Sequence, residues 1–174
     1  MKKKILVAYA TKAGATAEIA EAVADELRRA ELDVDVRKVS DVKSIDEYRA
    51  VIVGSAVYFD RWRQEAVQFL RHFKRDLSSR PVWLFQDGPL ESDFDESMRP
   101  LPRRVMFLAD RLGMMGSVTF GGRLEEGQGG PVARSIAKTY AGDYRDFKDI
   151  QEWAAKVARI LTGHRPDSAR QVTA

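Results

Sequence analysis

ILVAYATKAGATAEIAEAVADEL, which is residues 5–27, is the stretch that decides the fold. It begins with a short run of strand-favouring apolar residues, Ile5–Tyr9. A polar segment with one glycine follows, and apolar residues then recur every four positions, at Ile19, Val23 and Leu27. This order predicts a buried strand, a tight loop and an amphipathic helix.

The loop between this strand and this helix has the features of an anion site. Residues 11–16 read Thr-Lys-Ala-Gly-Ala-Thr. Backbone amides and the positive end of the helix dipole converge there, which suits a phosphate group, and Thr11, Lys12 and Thr16 add donors and charge. The loop matches neither a Walker loop nor the G-x-G-x-x-G fingerprint, which disfavours nucleoside triphosphates and dinucleotides. A plain turn with a helix cap is the alternative.

Composition narrows the class of protein. With 174 residues, of which 44% are hydrophobic, we expect one folded domain at residues 1–164 and a disordered tail at residues 165–174. The absence of cysteine and the presence of two histidines argue against a metal site. A net charge of +3 without a basic stripe disfavours nucleic-acid binding. No apolar stretch could span a bilayer, so we expect a cytoplasmic protein with at most peripheral membrane contact.

Four further stretches have the patterns of strands. Residues 32–39 alternate apolar and polar side chains, as in a half-buried edge strand, whereas residues 50–56 are apolar on both faces, as in a central parallel strand. The remaining two lie at residues 81–85 and 117–120. Because helical patterns alternate with these strands, the sequence predicts an α/β fold with an open parallel sheet and helices on both faces.

Helical periodicity follows each strand. We expect helices at about residues 15–30, 67–77, 102–112, 132–140 and 146–163. The last of these is predicted to begin at an N-cap residue, Asp146, because aspartate there accepts hydrogen bonds from the first free amides of a helix.

The loops that follow the strands should form a binding edge, because ligands of such sheets bind beyond the carboxyl ends of the strands. The second loop contains Tyr58, Phe59 and Trp62, and we expect at least one of these rings to cover a planar ligand. The alternative is packing against the next helix. Residues 86–88 and the Gly121-Gly122 pair are predicted turns that could present backbone amides.

No arrangement typical of a hydrolase is present. Ser55 follows Gly54, but the second glycine of a nucleophile elbow is missing, and His72 and His164 lie far away in sequence. We therefore assign no catalytic side chain.

Taken together, these motifs resemble the flavodoxin family. The shared order is a strand, a Thr-x-x-Gly-x-Thr loop, a helix, an aromatic loop and a glycine-containing loop, over residues 3–161. The resemblance implies a three-layer sandwich with a five-stranded parallel sheet in the order 2-1-3-4-5. It also implies flavin mononucleotide (FMN) as the cofactor and an oxidoreductase or electron-transfer function.

The resemblance further implies which residues hold FMN. The first loop holds the phosphate, and the ring lies between the second and third loops with the glycines of the fourth beside it. The corresponding residues are Thr11, Lys12, Ala13, Gly14, Ala15, Thr16, Ala56, Val57, Tyr58, Phe59, Trp62, Gln86, Asp87, Gly88, Gly121 and Gly122. Ala13 stands where the family usually has a hydroxyl residue, so one hydroxyl–phosphate bond is absent, and Lys12 can offset it electrostatically.

A closer likeness is to the flavodoxin-domain branch that includes menaquinone-dependent protoporphyrinogen dehydrogenase. Residues 54–59 (GSAVYF), 120–124 (FGGRL) and 142–147 (GDYRDF) carry this likeness, with Phe147 where a tryptophan is usual. It implies that a reduced porphyrinogen donates to FMN and that a quinone accepts.

Two other functions stay open. One is a one-electron carrier that serves a redox partner protein, although such flavodoxins are typically acidic and this chain is basic. The other is a flavodoxin-fold binding protein with weak or no FMN, which Ala13 permits. Residues 131–141 are either an ordinary connector or a segment that touches a membrane surface or an anionic substrate.

Overall fold

Five parallel strands form the centre of the structure, a computed structural model that describes residues 3–88, 100–124 and 142–163. The elements are, in chain order, β1 (Lys4–Ala10), α1 (Ala15–Arg29), β2 (Val34–Lys38), a short 3₁₀ turn (Val39–Asp41), β3 (Tyr48–Tyr58), β4 (Arg61–Trp62), α2 (Gln64–His72), α3 (Lys74–Leu77), β5 (Val82–Gly88), α4 (Arg103–Leu112), β6 (Gly116–Gly121), β7 (Arg123–Leu124), β8 (Gly142–Asp143) and α5 (Phe147–Leu161).

The main sheet has the order β2-β1-β3-β5-β6, and each of these neighbouring pairs is parallel. Strand β4 pairs antiparallel with the end of β3, and β7 and β8 form a separate two-stranded ribbon. Counting only the five parallel strands, the order is 2-1-3-4-5. The predicted α/β fold and its flavodoxin-like strand order are confirmed.

Helices cover both faces of the sheet, which gives the predicted three layers. Because successive side chains of a strand point to opposite faces, Ile5 and Val7 of β1 pack in one core with α1 and α5. Leu6 and Ala8 pack in the other core with α2, α3 and α4. All four side chains are buried, as expected for a central parallel strand.

The boundaries of α4 and the start of α5 follow local sequence signals. Helix α4 begins after Pro102 and ends at Gly113, whose φ of 63° is left-handed and therefore suits glycine. Asp146 caps α5, since its carboxylate accepts hydrogen bonds from the amides of Lys148 and Asp149. The helix predicted over residues 67–77 is interrupted at Phe73, which leaves helical geometry between α2 and α3.

The aromatic segment after β3 is a β-hairpin, and our prediction of a loop there is wrong. Strand β3 continues to Tyr58 and the chain returns as β4 after two residues, Phe59 and Asp60, with φ of 49° and 56°. Two-residue turns of this kind match the twist of the flanking strands. The usual signal is Asn-Gly or Asp-Gly, and its absence explains why the pattern did not reveal the hairpin.

Residues 86–88 are also not the predicted turn, because they continue β5 and pair with β6. The side chain of Gln86 is fully buried but satisfied. It accepts a hydrogen bond from Trp62 Nε1 at 2.9 Å and donates to Thr119 Oγ1 at 2.9 Å and to the Pro100 carbonyl at 3.2 Å. These bonds allow a polar residue inside a central strand.

None of the helices in residues 3–88, 100–124 and 142–163 is long and apolar enough to cross a membrane. The helix expected at residues 132–140 and the tail expected at residues 165–174 lie outside the described residues.

Candidate functional site

A narrow cleft lies at the carboxyl edge of the sheet. The residues that line it come from the loop after β1, the start of α1, the ends of β3 and β5, and the segment that leads into β7: Thr11, Ala13, Ala15, Thr16, Ala56, Val57, Tyr58, Asp87, Gly88, Gly122 and Arg123. The space inside that admits water is about 10 Å³. This is room for roughly one water molecule, so the cleft is tightly packed.

The loop after β1 is built around Gly14. Its φ of 91° is left-handed, a conformation that strains any residue with a side chain, and α1 begins at the next residue. The Gly14 amide donates to Thr11 Oγ1 at 2.9 Å, which closes the loop. The first hydrogen bond of α1 runs from the Glu18 amide to the Gly14 carbonyl, so helix geometry leaves the amides of residues 15–17 without an acceptor inside α1.

Thr16 adds an unsatisfied donor to this helix end. The residue is fully buried, and its Oγ1 has no hydrogen-bond partner among the described residues. An orphaned hydroxyl is rare in a folded protein because burial without a hydrogen bond costs about 1–3 kcal/mol. An anion at the start of α1 would satisfy it.

Asp87 places a buried carboxyl in the same cleft. Its exposed fraction is 3%, and Oδ1 has no hydrogen-bond partner within the part of the chain that the structure describes. Burial raises the pKa of Asp87 to about 7. The Thr16 hydroxyl, close by but outside hydrogen-bond geometry, and the positive charge of Arg145 both lower this pKa without cancelling the effect of burial. The carboxyl is therefore close to half protonated at neutral pH.

A cluster of ion pairs flanks the cleft at the start of α1. Arg145 Nη1 lies 2.5 Å from Glu18 Oε2, and Arg145 Nη2 lies 2.6 Å from Asp143 Oδ2. Arg123 Nη1 lies 3.1 Å from Glu18 Oε1. The hydrogen bond to Arg145 lowers the pKa of Asp143 to about 2 and also lowers the pKa of Glu18. These pairs join residues 142–145 to the first turn of α1.

Arg123 extends from this cluster over the loop after β1. Its Nη2 lies 3.9 Å from the position that a Cβ on Gly14 would take, and the residue lines the cleft. Sequence reasoning missed Glu18, Arg123 and Arg145 as site residues because more than one hundred positions separate the partners. The only available signal was the pair of motifs at residues 120–124 and 142–147, which contain both arginines.

Most of the predicted site residues come together at this edge. Lys12 lies beside the cleft, with its Nζ 5.6 Å from the centroid of the Tyr58 ring. Tyr58 ends β3 and is partly buried, and burial together with the charge of Asp87 raises its pKa, so the phenol stays neutral. The predicted residues that line the cleft directly are Thr11, Ala13, Ala15, Thr16, Ala56, Val57, Tyr58, Asp87, Gly88 and Gly122.

Six predicted residues are not part of the cleft lining: Lys12, Gly14, Phe59, Trp62, Gln86 and Gly121. Phe59 is 73% exposed at the tip of the hairpin. Trp62 and Gln86 are buried and bonded to each other, so they support the edge from inside the core.

Gly121, the last residue of β6, and the adjacent Gly122 allow the backbones of β5 and β6 to approach closely. Gly121 pairs with Gly88 of β5, and the Gly122 amide donates to the Gly88 carbonyl at 2.8 Å. A Cβ on Gly122 would meet the Gly88 backbone at 3.0 Å. A side chain here would push β5 and the segment after β6 apart and widen the cleft.

Comparison with known proteins identifies the family. The model of the flavodoxin domain family matches residues 6–126. The chain belongs to this family. The match covers β1 to β7, which includes every residue that lines the cleft. Membership in the family implies FMN as the cofactor.

Solved structures share the fold at low sequence identity. A flavodoxin from the domain Archaea aligns with a TM-score of 0.58 and 15% identity, covering 91% of this chain and 99% of its own. Flavodoxin 2 from Bacillus cereus gives 0.60 and 18%, covering 93% and 99%. Rubredoxin oxygen:oxidoreductase from Desulfovibrio gigas gives 0.63 and 12%, covering 93% of this chain and 37% of its own. Comparison with curated proteins gave no match.

The residues of the cleft fit the phosphate end of FMN. The Thr16 hydroxyl, which has no partner among the described residues, the left-handed Gly14 and the amides of residues 15–17, which have no acceptor inside α1, are groups that suit an anion. The feature that opposes an anion is the Asp87 carboxyl beside Thr16.

Proposed function

We propose that the protein is an FMN-dependent oxidoreductase whose cofactor lies along the carboxyl edge of the sheet. The observation that supports this most is the buried, unpartnered Thr16 hydroxyl at the start of α1, inside a cleft to which β3, β5 and the segment after β6 also contribute. A buried donor without a partner at a helix N-terminus suits an anion, and the FMN cofactor of this family carries a phosphate group.

The proposed contacts divide the cleft into a phosphate end and a ring end. The loop of Thr11–Thr16 would hold the phosphate, with Lys12 and Arg123 contributing positive charge. Tyr58 and Val57 would contact the ring, and the backbone at Asp87–Gly88 and Gly121–Gly122 would bond its polar edge. Ala56 would contact the cofactor from the wall of the cleft. Phe59 would lie beside it at the tip of the hairpin, and Trp62 and Gln86 would support the site from the core.

The residues of the chain would contribute to the chemistry by positioning the FMN ring and by setting the electrostatic potential around it. FMN, when bound, supplies the transfer of one or two electrons. Backbone groups at the ends of β5 and β6 would fix the ring, and the tightly packed cleft would exclude water from one face. We assign no side chain to proton transfer with a substrate.

We further propose a reduced porphyrinogen as electron donor and a quinone as acceptor. The likeness of residues 142–147 (GDYRDF) to the protoporphyrinogen dehydrogenase branch supports this assignment, and the ion pair of Arg145 with Glu18 holds this segment against the start of α1. Each pair of hydrogens removed from the porphyrinogen would end on one quinone, which becomes the quinol.

Electron transfer to a partner protein is a second candidate. Phe59 is exposed at the tip of a hairpin next to the cleft, and Arg61 beside it is exposed as well. An exposed aromatic ring beside the cleft suits transient docking of a redox partner, and the adjacent Asp60 and Arg61 carry opposite charges.

An anaerobic assay separates these candidates. We expect FMN-loaded protein mixed with a reduced porphyrinogen to form fluorescent porphyrin when a quinone is added, and free FMN at the same concentration to form much less. Absence of porphyrin, together with rapid and salt-dependent reduction of the protein by a flavodoxin reductase, would instead support the carrier. A preparation that takes up no FMN would contradict both and favour a flavodoxin-fold binding protein.

A further inference from the structure

The carboxyl of Asp87 occupies the part of the cleft where the proposed function needs an anion. Asp87 lies near the end of β5 in register with Ala56 of β3 and Phe120 of β6, and only 3% of the residue is exposed. Its Oδ1 and the Thr16 Oγ1 are two buried polar atoms that lack partners in residues 3–88, 100–124 and 142–163. The two side chains interact, so the carboxyl lies beside the proposed phosphate ligand.

The groups around Asp87 do not neutralise it. Thr16, from α1, is uncharged. Tyr58, from β3, has a raised pKa and is a neutral phenol at physiological pH. Arg145 attracts the carboxylate from a distance, but its guanidinium is already paired with Glu18 and Asp143.

Two further cations stand near the cleft. Arg123, from β7, pairs with Glu18 and lines the cleft. Lys12 is exposed over the ring of Tyr58. No ion pair forms between Asp87 and a cation within the described part of the chain, so a negative charge on Asp87 would face an arriving phosphate with little compensation.

We propose that Asp87 takes up a proton when a phosphate group binds at the start of α1, so that the affinity for FMN falls as the pH rises. As a neutral acid, Asp87 removes the repulsion between two negative groups and can donate a hydrogen bond to a phosphate oxygen. This inference rests on the proposed function, because it concerns the same site.

The direction and the pH range follow from the burial of Asp87. Burial places the pKa of Asp87 at about 7 in the free protein, so above pH 7 the carboxyl is ionised before the ligand arrives. Binding then requires one proton, and affinity falls up to tenfold for each pH unit. The phosphate of FMN has already lost its second proton above about pH 6, so it does not add to the change.

The test is equilibrium titration of the cofactor-free protein with FMN, followed by quenching of flavin fluorescence, at several pH values from 7.0 to 8.5. We expect the Kd of the unmodified protein to rise roughly 15-fold across this range. The D87N variant, in which an isosteric amide cannot ionise, should bind more tightly at pH 8.5 and show less than about a threefold change. Riboflavin, which lacks the phosphate, should show no comparable pH dependence with either protein.

Two further variants serve as controls for the D87N substitution. D110N makes the same chemical change on the exposed side of α4 and should keep the pH profile of the unmodified protein. D87S provides a second uncharged residue at position 87, and thermal unfolding shows whether each variant is folded.

The possible outcomes separate this inference from the function on which it rests. FMN binding with the same pH profile in the unmodified protein, D87N and D87S would overturn the role of Asp87 alone. Absence of FMN binding to every folded variant at every pH would overturn the proposed function and, with it, the inference.

Discussion

The buried carboxyl of Asp87 lowers the free energy of unfolding, and it does so at the proposed phosphate site. The ordinary pKa of an aspartate is 3.8, and burial raises that of Asp87 to about 7. Between these values the folded protein keeps the proton while the unfolded chain has lost it. Stability therefore falls as the pH rises from about 4 to about 7, and above that range this contribution no longer changes.

Replacing Asp87 with asparagine should therefore stabilise the protein in a pH-dependent manner. At pH 8 we expect D87N to increase the free energy of unfolding by on the order of 3 kcal/mol, because the cost of ionising a buried carboxyl disappears. At pH 4 the two proteins should differ little. Urea unfolding at both pH values measures this, and an equal difference at both would show that ionisation is not the cause.

Gly14 and Gly113 allow a matched comparison of a site glycine with a structural one. Both have left-handed φ angles, 91° and 63°, and a Cβ would meet no backbone atom within 4 Å at either position. We expect G14A and G113A each to lower the free energy of unfolding by about 1–2 kcal/mol, from backbone strain.

Only G14A should weaken FMN binding, because only Gly14 shapes the loop at the start of α1. FMN titration of both variants measures this. Equal loss of affinity in both variants would indicate a general effect of lower stability and not a specific role of the loop.

The sequence predicts a hydrogen bond between neighbouring residues more readily than one between residues that are distant along the chain. The Asp146 cap could be predicted because its partners are the next amides along the chain. The bonds from Gln86 to Trp62 and Thr119 could not, because they link positions 24 and 33 residues apart that become neighbours only in the folded sheet.

Among the elements, the strands and long helices were predictable and the hairpin was not. Apolar periodicity reports burial, which is why β1, β3, α1 and α5 were found near their true positions. The turn of the hairpin depends on backbone angles at Phe59 and Asp60 that these residue types do not signal. Contacts hold it in place, including the bond from the Arg63 amide to Ser55 Oγ at 3.0 Å.

The side chain of Arg145, which is 4% exposed, links the segment of residues 142–146 to Glu18 of α1. We expect R145Q to lower the free energy of unfolding by about 1–3 kcal/mol, because Asp143 loses its pair with Arg145 and Glu18 is left with its pair to Arg123. This is less than for a fully buried pair, since both carboxylates are about half exposed. Denaturant unfolding measures the loss.

The matched control for R145Q is K148Q, in the first turn of α5. The Lys148 side chain is 81% exposed and lies 4.0 Å from Glu152, so its removal should change stability by less than about 0.5 kcal/mol. A comparable loss in both variants would contradict a special role of Arg145.

At the scale of the whole molecule, the alternation of strands and helices determined the fold and the edge at which the site lies. Four strand ends contribute to one cleft because parallel strands present their carboxyl ends together. The tightness of the cleft and the ion-pair cluster beside it could not be predicted, since both depend on side-chain packing between distant segments. The family match and the confirmed strand order agree with the arrangement that the sequence predicted.

The central claim is that the start of α1 binds the phosphate of FMN through the orphaned Thr16 hydroxyl. Its most direct test is FMN titration of the cofactor-free protein at pH 7 beside two isosteric variants, T16V and T162V. Thr162 is a matched control, because its hydroxyl is bonded to the Ala158 carbonyl at the end of α5.

We expect one FMN per chain, with affinity at least about tenfold weaker in T16V and unchanged in T162V, since one hydrogen bond to a charged group is worth about 1.5–3 kcal/mol. Equal affinity of all three proteins for FMN, or no FMN uptake by the unmodified protein, would contradict the central claim.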